Sequence, residues 1–157
     1  MKMVANKLVD IIEKAIQKEE EAYTFYMALY VKIKDETVKD TLKFIAEEEK
    51  KHKAFLVSYR DTGYGSETLQ MGEVTYYKIA EHQKEPEISD DMQSEDVFLL
   101  AAHRELKAFH FYSELAAIYA EGETQSILLK MANEELKHKE KMEYLYANIA
   151  FPQTAGG

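Results

Sequence analysis

Laid on itself with a shift of 86 residues (from 49 to 135), the sequence matches without a gap along two long stretches. No other feature restricts the fold as much. Glu49 and His52 fall on Glu135 and His138, and Glu19 falls on Glu105. Around them Ala15 falls on Ala101, Ala22 on Ala108, Phe25 and Tyr26 on Phe111 and Tyr112, Leu29 on Leu115, Leu42 on Leu128 and Ala46 on Ala132. Shared composition alone rarely produces a gap-free register of this kind. A duplicated helical hairpin accounts for it, because each unit needs its copy to bury an apolar face.

The repeat units carry the helical period. Four segments place apolar residues at alternating three- and four-residue steps, the spacing of a seam that faces a bundle core. The first runs Leu8, Ile12, Ala15, Glu19, Ala22, Tyr26, Leu29, Ile33, and the second Leu42, Ile45, Glu49, His52, Leu56, Tyr59. The third runs Phe98, Ala101, Glu105, Ala108, Tyr112, Leu115, Tyr119, and the fourth Leu128, Met131, Glu135, His138, Met142, Leu145, Ile149. This predicts an all-α, ferritin-like four-helix bundle of two repeated hairpins joined by one long crossover. Its 157 residues are read as a single domain: hairpin 1 at about 5–61, crossover at about 62–93, hairpin 2 at about 94–149 and a frayed tail at 150–157. Within the crossover Val74–His82 is expected to form a short helix, and Ser94 to cap the third long helix.

Composition removes several classes of function. The chain has no cysteine, which excludes disulfides, zinc ribbons, thiol catalysis and cysteine-ligated iron–sulfur centres within it. Its formal charge of -9 and lack of a basic patch argue against nucleic-acid binding. No stretch of about 18 apolar residues is present, and Asp10 and Glu13 interrupt the N-terminal segment before a signal-peptide core could form. The expected setting is cytoplasmic, away from membranes.

Six polar residues sit inside the seams: Glu19, Glu49, His52, Glu105, Glu135 and His138. Most glutamates on helices are solvated or pair with lysine one turn away, which suits Glu20, Glu21 and Glu47. The seam glutamates differ. A buried carboxylate costs several kcal/mol unless it is paired or bound to metal, and the seams contain no lysine or arginine. Turn geometry adds an independent point: residue 34 lies midway between Glu19 and Glu49, beside the turn expected at Lys34-Asp35-Glu36. Residue 120 lies midway between Glu105 and Glu135, beside Glu121-Gly122, where glycine suits a helix C-terminus. Residues equidistant from the turn of an antiparallel hairpin sit at one height. Each hairpin therefore sets a glutamate level with its Glu-x-x-His pair. Carboxylate oxygen with neutral imidazole suits iron or manganese, and four carboxylates balance two divalent ions. His82, His103 and His110, not repeated across the shift, are read as surface residues.

The set Glu19, Glu49-x-x-His52, Glu105, Glu135-x-x-His138 resembles that of the ferritin-like di-iron carboxylate proteins, rubrerythrins most closely. So does Glu19-x-x-Ala22-x-x-x-Tyr26, repeated as Glu105-x-x-Ala108-x-x-x-Tyr112. The resemblance implies two bound irons, bridged by Glu49 and Glu135, with Glu19 and Glu105 as terminal ligands and His52 and His138 on one iron each. Glu48 and Glu134 also repeat but fall outside the seam. Tyr26 and Tyr112 are expected either to hydrogen-bond the ligand carboxylates or to pack in the core.

By the same resemblance the chain is expected to reduce peroxide or dioxygen with electrons from an external, rubredoxin-like donor. It departs from rubrerythrins in having no cysteine and in placing Ala108 where their third helix commonly offers an additional carboxylate. Ferroxidase and iron storage in a ferritin-like assembly, and a dimanganese catalase, use the same ligand set, and manganese or a mixed pair could stand in place of the two irons. A homodimer or larger homo-oligomer is expected.

Overall fold

The computed structural model describes residues 6–63, 72–75 and 77–151. The described chain is all-helical, as a ferritin-like helical bundle requires, with five helices: α1 Asn6–Lys32, α2 Glu36–Thr62, α3 Ile79–His82, α4 Ser94–Ile118 and α5 Glu123–Ala150. It forms two compact units, residues 1–68 and 69–157.

The first unit is the α1–α2 hairpin. Three residues, Ile33 to Asp35, separate its helices. Asp35 starts α2 as N-cap, its carboxylate accepting the Val38 N–H at 3.1 Å. Such a cap satisfies one of the donors that a helix start leaves without an intrahelical acceptor. Lys39 closes the turn from the other side: its Nζ donates to the carbonyls of Tyr30 and Ile33 at the end of α1 and sits 4.1 Å above the Tyr30 ring. α2 ends at Gly63, whose φ of 75° is left-handed backbone that glycine adopts without a Cβ clash, and the Gly63 N–H donates to the Tyr59 carbonyl. The seam residues of α2 from Leu42 to Tyr59 are all buried.

The second unit contains α3, α4 and α5. α4 and α5 pack along their lengths, and α3 packs on α4. Gly122, expected to end the third long helix, instead stands as N-cap of α5 with φ 158° and ψ −169°. α4 closes earlier because Gln125 reaches back, its Nε2 donating to the carbonyls of Ala116 at 3.1 Å and Tyr119 at 2.9 Å. Gln93, not Ser94, is the N-cap of α4; Ser94 is the first helical residue. The seam of α4 is widened at its start, where Val97 to Ala102 are buried without interruption. On α5 the seam fades at its far end, and Ile149 is exposed.

Among the described residues of the crossover, helix is confined to α3, shorter than the Val74–His82 expected, because the Thr75 N–H donates to the Glu140 side chain at 2.8 Å rather than to a helical carbonyl. Lys78 then takes a left-handed conformation, φ 56°, immediately before α3. No described helix is long and apolar enough to cross a membrane. The expected frayed tail from Pro152 onward lies outside the described residues.

Candidate metal centre

Each hairpin gathers its own three predicted ligands. In the first, Glu19 of α1 meets Glu49 and His52 of α2: His52 Nδ1 lies 3.7 Å from Glu19 Oε1 and 4.0 Å from Glu49 Oε1. In the second, Glu105 of α4 meets Glu135 and His138 of α5, with His138 Nδ1 3.7 Å from Glu105 Oε2. Within each triad one donor atom per residue can be chosen so that all lie within 4.8 Å of one another. The six residues are buried, none more than 6% exposed.

The backbone explains this convergence. Glu49 with His52, and Glu135 with His138, are three apart on one helix and share a face. Glu19 and Glu49 stand equally far from Lys34, the centre of the Ile33–Asp35 link, so at about 1.5 Å of rise per residue they reach one height. Glu105 and Glu135 do the same about residue 120.

The Nδ1–carboxylate separations suit two ligands of one ion. At 3.7–4.0 Å the histidine–carboxylate contacts are longer than the N···O distance of about 2.7–3.2 Å that a hydrogen bond takes. Two ligands of one ion, each bonded at about 2.0–2.2 Å, stand roughly 3–4 Å apart. Two buried carboxylates in each triad also call for positive charge, which a divalent cation supplies. Two oxygens and one imidazole per triad suit iron or manganese better than a structural zinc, which favours thiolate. The residues present fit such a metal.

The other candidates divide clearly. Glu48 and Glu134 are half-buried and face lysines one turn on, Lys51 at 3.2 Å and Lys137 at 3.9 Å. Tyr26 and Tyr112 are fully buried, and each sets its ring edge-on to the preceding phenylalanine, with centroids 5.4 Å apart for Phe25–Tyr26 and 5.1 Å for Phe111–Tyr112. His82 and His110 are exposed as expected. His103 is not: it is half-buried, and its Nε2 is enclosed.

Sequence reasoning missed an ion cluster built around a buried lysine. Lys139, next to His138, is 1% exposed, and its Nζ donates to Glu143 Oε1 at 2.9 Å and Glu81 Oε1 at 2.8 Å. Burial alone pushes the Glu81 carboxyl up, but the hydrogen bond from Lys139, with a backbone hydrogen bond and the positive charges of Lys139 and His82, outweighs burial and holds it below its ordinary value. A lysine four residues before a glutamate is the usual solvent-exposed pair, so the pattern carried no sign of burial.

The sequence profile of the rubrerythrin family matches residues 10–93, which include Glu19, Glu49, His52 and the crossover. Among solved structures, a hypothetical protein from Pyrococcus furiosus is similar at 27% identity, covering 94% of this chain and 92% of that one, with a TM-score of 0.61. No curated protein matches the chain. With more than half its length under the family profile, and the buried Glu19, Glu49 and His52 inside that span, the chain belongs to the rubrerythrin family.

Proposed function

We propose that the chain is a non-haem di-iron oxidoreductase of rubrerythrin type, reducing peroxide or dioxygen with electrons from an external donor. The observation that carries this reading is the pair of buried triads, each two carboxylates and one histidine, with the same 3.7 Å spacing between histidine and the glutamate of the partner helix. In this reading, as the family resemblance implies, the six residues would hold two metals: Glu49 and Glu135 would be the bridging ligands, Glu19 and Glu105 the terminal ones, and His52 and His138 would hold one metal each. When bound, two irons supply one electron each, which with two protons converts hydrogen peroxide to two waters. The protein's part is to orient the ligands and keep bulk water from them, and all six are buried within their hairpins. Tyr26 and Tyr112 are assigned to orienting the ligand carboxylates, as buried hydroxyls two turns along from Glu19 and Glu105.

Metal analysis, followed by anaerobic mixing of the reduced protein with stoichiometric peroxide and separately with dioxygen, tests the proposal. Two irons per chain and fast oxidation by peroxide support it. A faster reaction with dioxygen makes dioxygen the substrate, and manganese in the site overturns the iron assignment. Storage of iron needs a closed shell, so a solution mass near twice 18.2 kDa excludes that alternative.

A further inference from the structure

The internal repeat breaks down on one helix face. On α5, Asn133 and Glu140 point about 180° away from Glu135 and His138, taking about 100° of rotation per residue. Residues 72–75 and 77–82 are fastened to that outer face. Asn133 Oδ1 accepts the Gly72 N–H and its Nδ2 donates to the Gly72 carbonyl, both at 3.1 Å. Glu140 accepts the Thr75 N–H and Glu143 the Ala80 N–H, each at 2.8 Å, while Lys139 binds Glu81 and Glu143. A Cβ at Gly72 would come within 3.1 Å of the Lys137 side chain, whose end would have to shift by a few tenths of an ångström.

Among the described residues the first hairpin carries none of this. Positions 86 residues earlier hold Glu47, Ala54 and Val57 in place of Asn133, Glu140 and Glu143, and Glu47 and Ala54 are exposed. Lys53, the counterpart of Lys139, pairs at the surface with Glu20 at 2.9 Å. The ligand helix of one triad is thus held by a strap across its outer face, and among the described residues its twin is not.

We infer that the two triads are unequal metal sites: the strap, through Lys139, Glu140 and Glu143, preorganises α5 so that the Glu105/Glu135/His138 triad takes the first ion more tightly. Lys139 is a positioning residue here, acting through the helix that carries His138. A ligand helix already fixed loses less conformational freedom when the metal binds, and that difference appears as affinity. Linkage requires the reciprocal effect: filling this triad tightens the strap. The inference rests on the proposed use of both triads for metal, but it can fail separately.

Anaerobic titration of the whole protein with Co(II), followed by visible absorption, provides the test. Two binding steps at least about tenfold apart are expected, the tighter removed by His138→Ala and the weaker by His52→Ala. Lys139→Met weakens the tighter step by about tenfold and leaves the weaker within about twofold. Glu140→Ala, which removes only the acceptor of the Thr75 N–H at an accessible position, shifts the same step in the same direction by less. Amide exchange at Thr75 and Ala80 slows by about tenfold when the first Co(II) binds. Equal steps, equal weakening of both by Lys139→Met and Glu140→Ala, or unchanged amide exchange would overturn the inference. Uptake of a single ion lost in His138→Ala supports it while refuting the dinuclear reading; a single ion lost in His52→Ala refutes both.

Discussion

Lys39 and Gln125 stand 86 residues apart (from 39 to 125) and make the same two hydrogen bonds with different chemistry. Lys39 donates to the carbonyls of Tyr30 and Ile33, and Gln125 to those of Ala116 and Tyr119, which are the same positions in the two copies. The repeat therefore preserves a task, closure of the hairpin turn, beyond the residue that performs it. The turn in turn sets the height at which the ligands meet.

Removing that closure loosens the turn without touching the core. Lys39→Ala and Gln125→Ala are each expected to lower stability by about 1–2 kcal/mol, since helix-end carbonyls lose their donor. Lys39→Gln retains more than half of the stability that Lys39→Ala loses, because an amide already suffices at Gln125. Urea unfolding of the three variants checks this, and a Lys39→Gln variant as weak as Lys39→Ala would show that the ammonium charge, or its contact with Tyr30, matters more.

The buried carboxylates trade stability for function. Glu49→Ala or Glu135→Ala abolishes two-metal binding; retention of two metals would refute the bridging roles. In metal-free protein, Glu135→Gln raises stability by about 1 kcal/mol or more, because a neutral amide of similar size replaces a charge in the core. In saturating metal the order reverses, since metal bound only to the native state stabilises it by about 2.7 kcal/mol at one hundred times its dissociation constant. Thermal unfolding with and without a chelator reads both signs.

How legible was this arrangement? The seam steps located all four long helices and placed Glu19, Glu49, His52, Glu105, Glu135 and His138 on their inner faces, because a buried stripe at helical spacing is a local pattern. Capping was less visible: Ser94 and Gly122 have the right chemistry at nearly the right places, but Gln125, arriving from the next helix, settled where α4 stops. The Lys139–Glu143–Glu81 cluster was invisible. Its burial comes from a crossover segment distant in sequence, and nothing in the periodicity of α5 records it.

Acid should release the strap before it unfolds the helices. The folded Glu81 carboxyl titrates below its ordinary value of 4.5, so its contribution is complete above that value and is lost as pH falls through the lower, folded one. Below pH 4.5, exchange at the amides of Thr75 and Ala80 is expected to accelerate while helicity persists. Glu81→Gln should flatten that pH dependence; an unchanged profile would show that other carboxylates control it.

At Gly63 the expected cost comes from backbone strain. Gly63→Ala places a Cβ in left-handed backbone and should lower stability by about 1 kcal/mol, with no effect on metal binding. Equilibrium unfolding and a Co(II) titration of the same variant separate the two.

The three-residue link between α1 and α2 also has a kinetic consequence. Contacts near Ile33–Asp35 join residues close in sequence, so hairpin formation can begin there at little loop-closure entropy and zip outward. Glu19 and Glu49, fifteen residues to either side of Lys34, come level only after several turns of both helices have paired. The carboxylates most costly to bury thus enter the interior late in folding, when a nascent hairpin already exists to hold them apart from one another and ready for an ion.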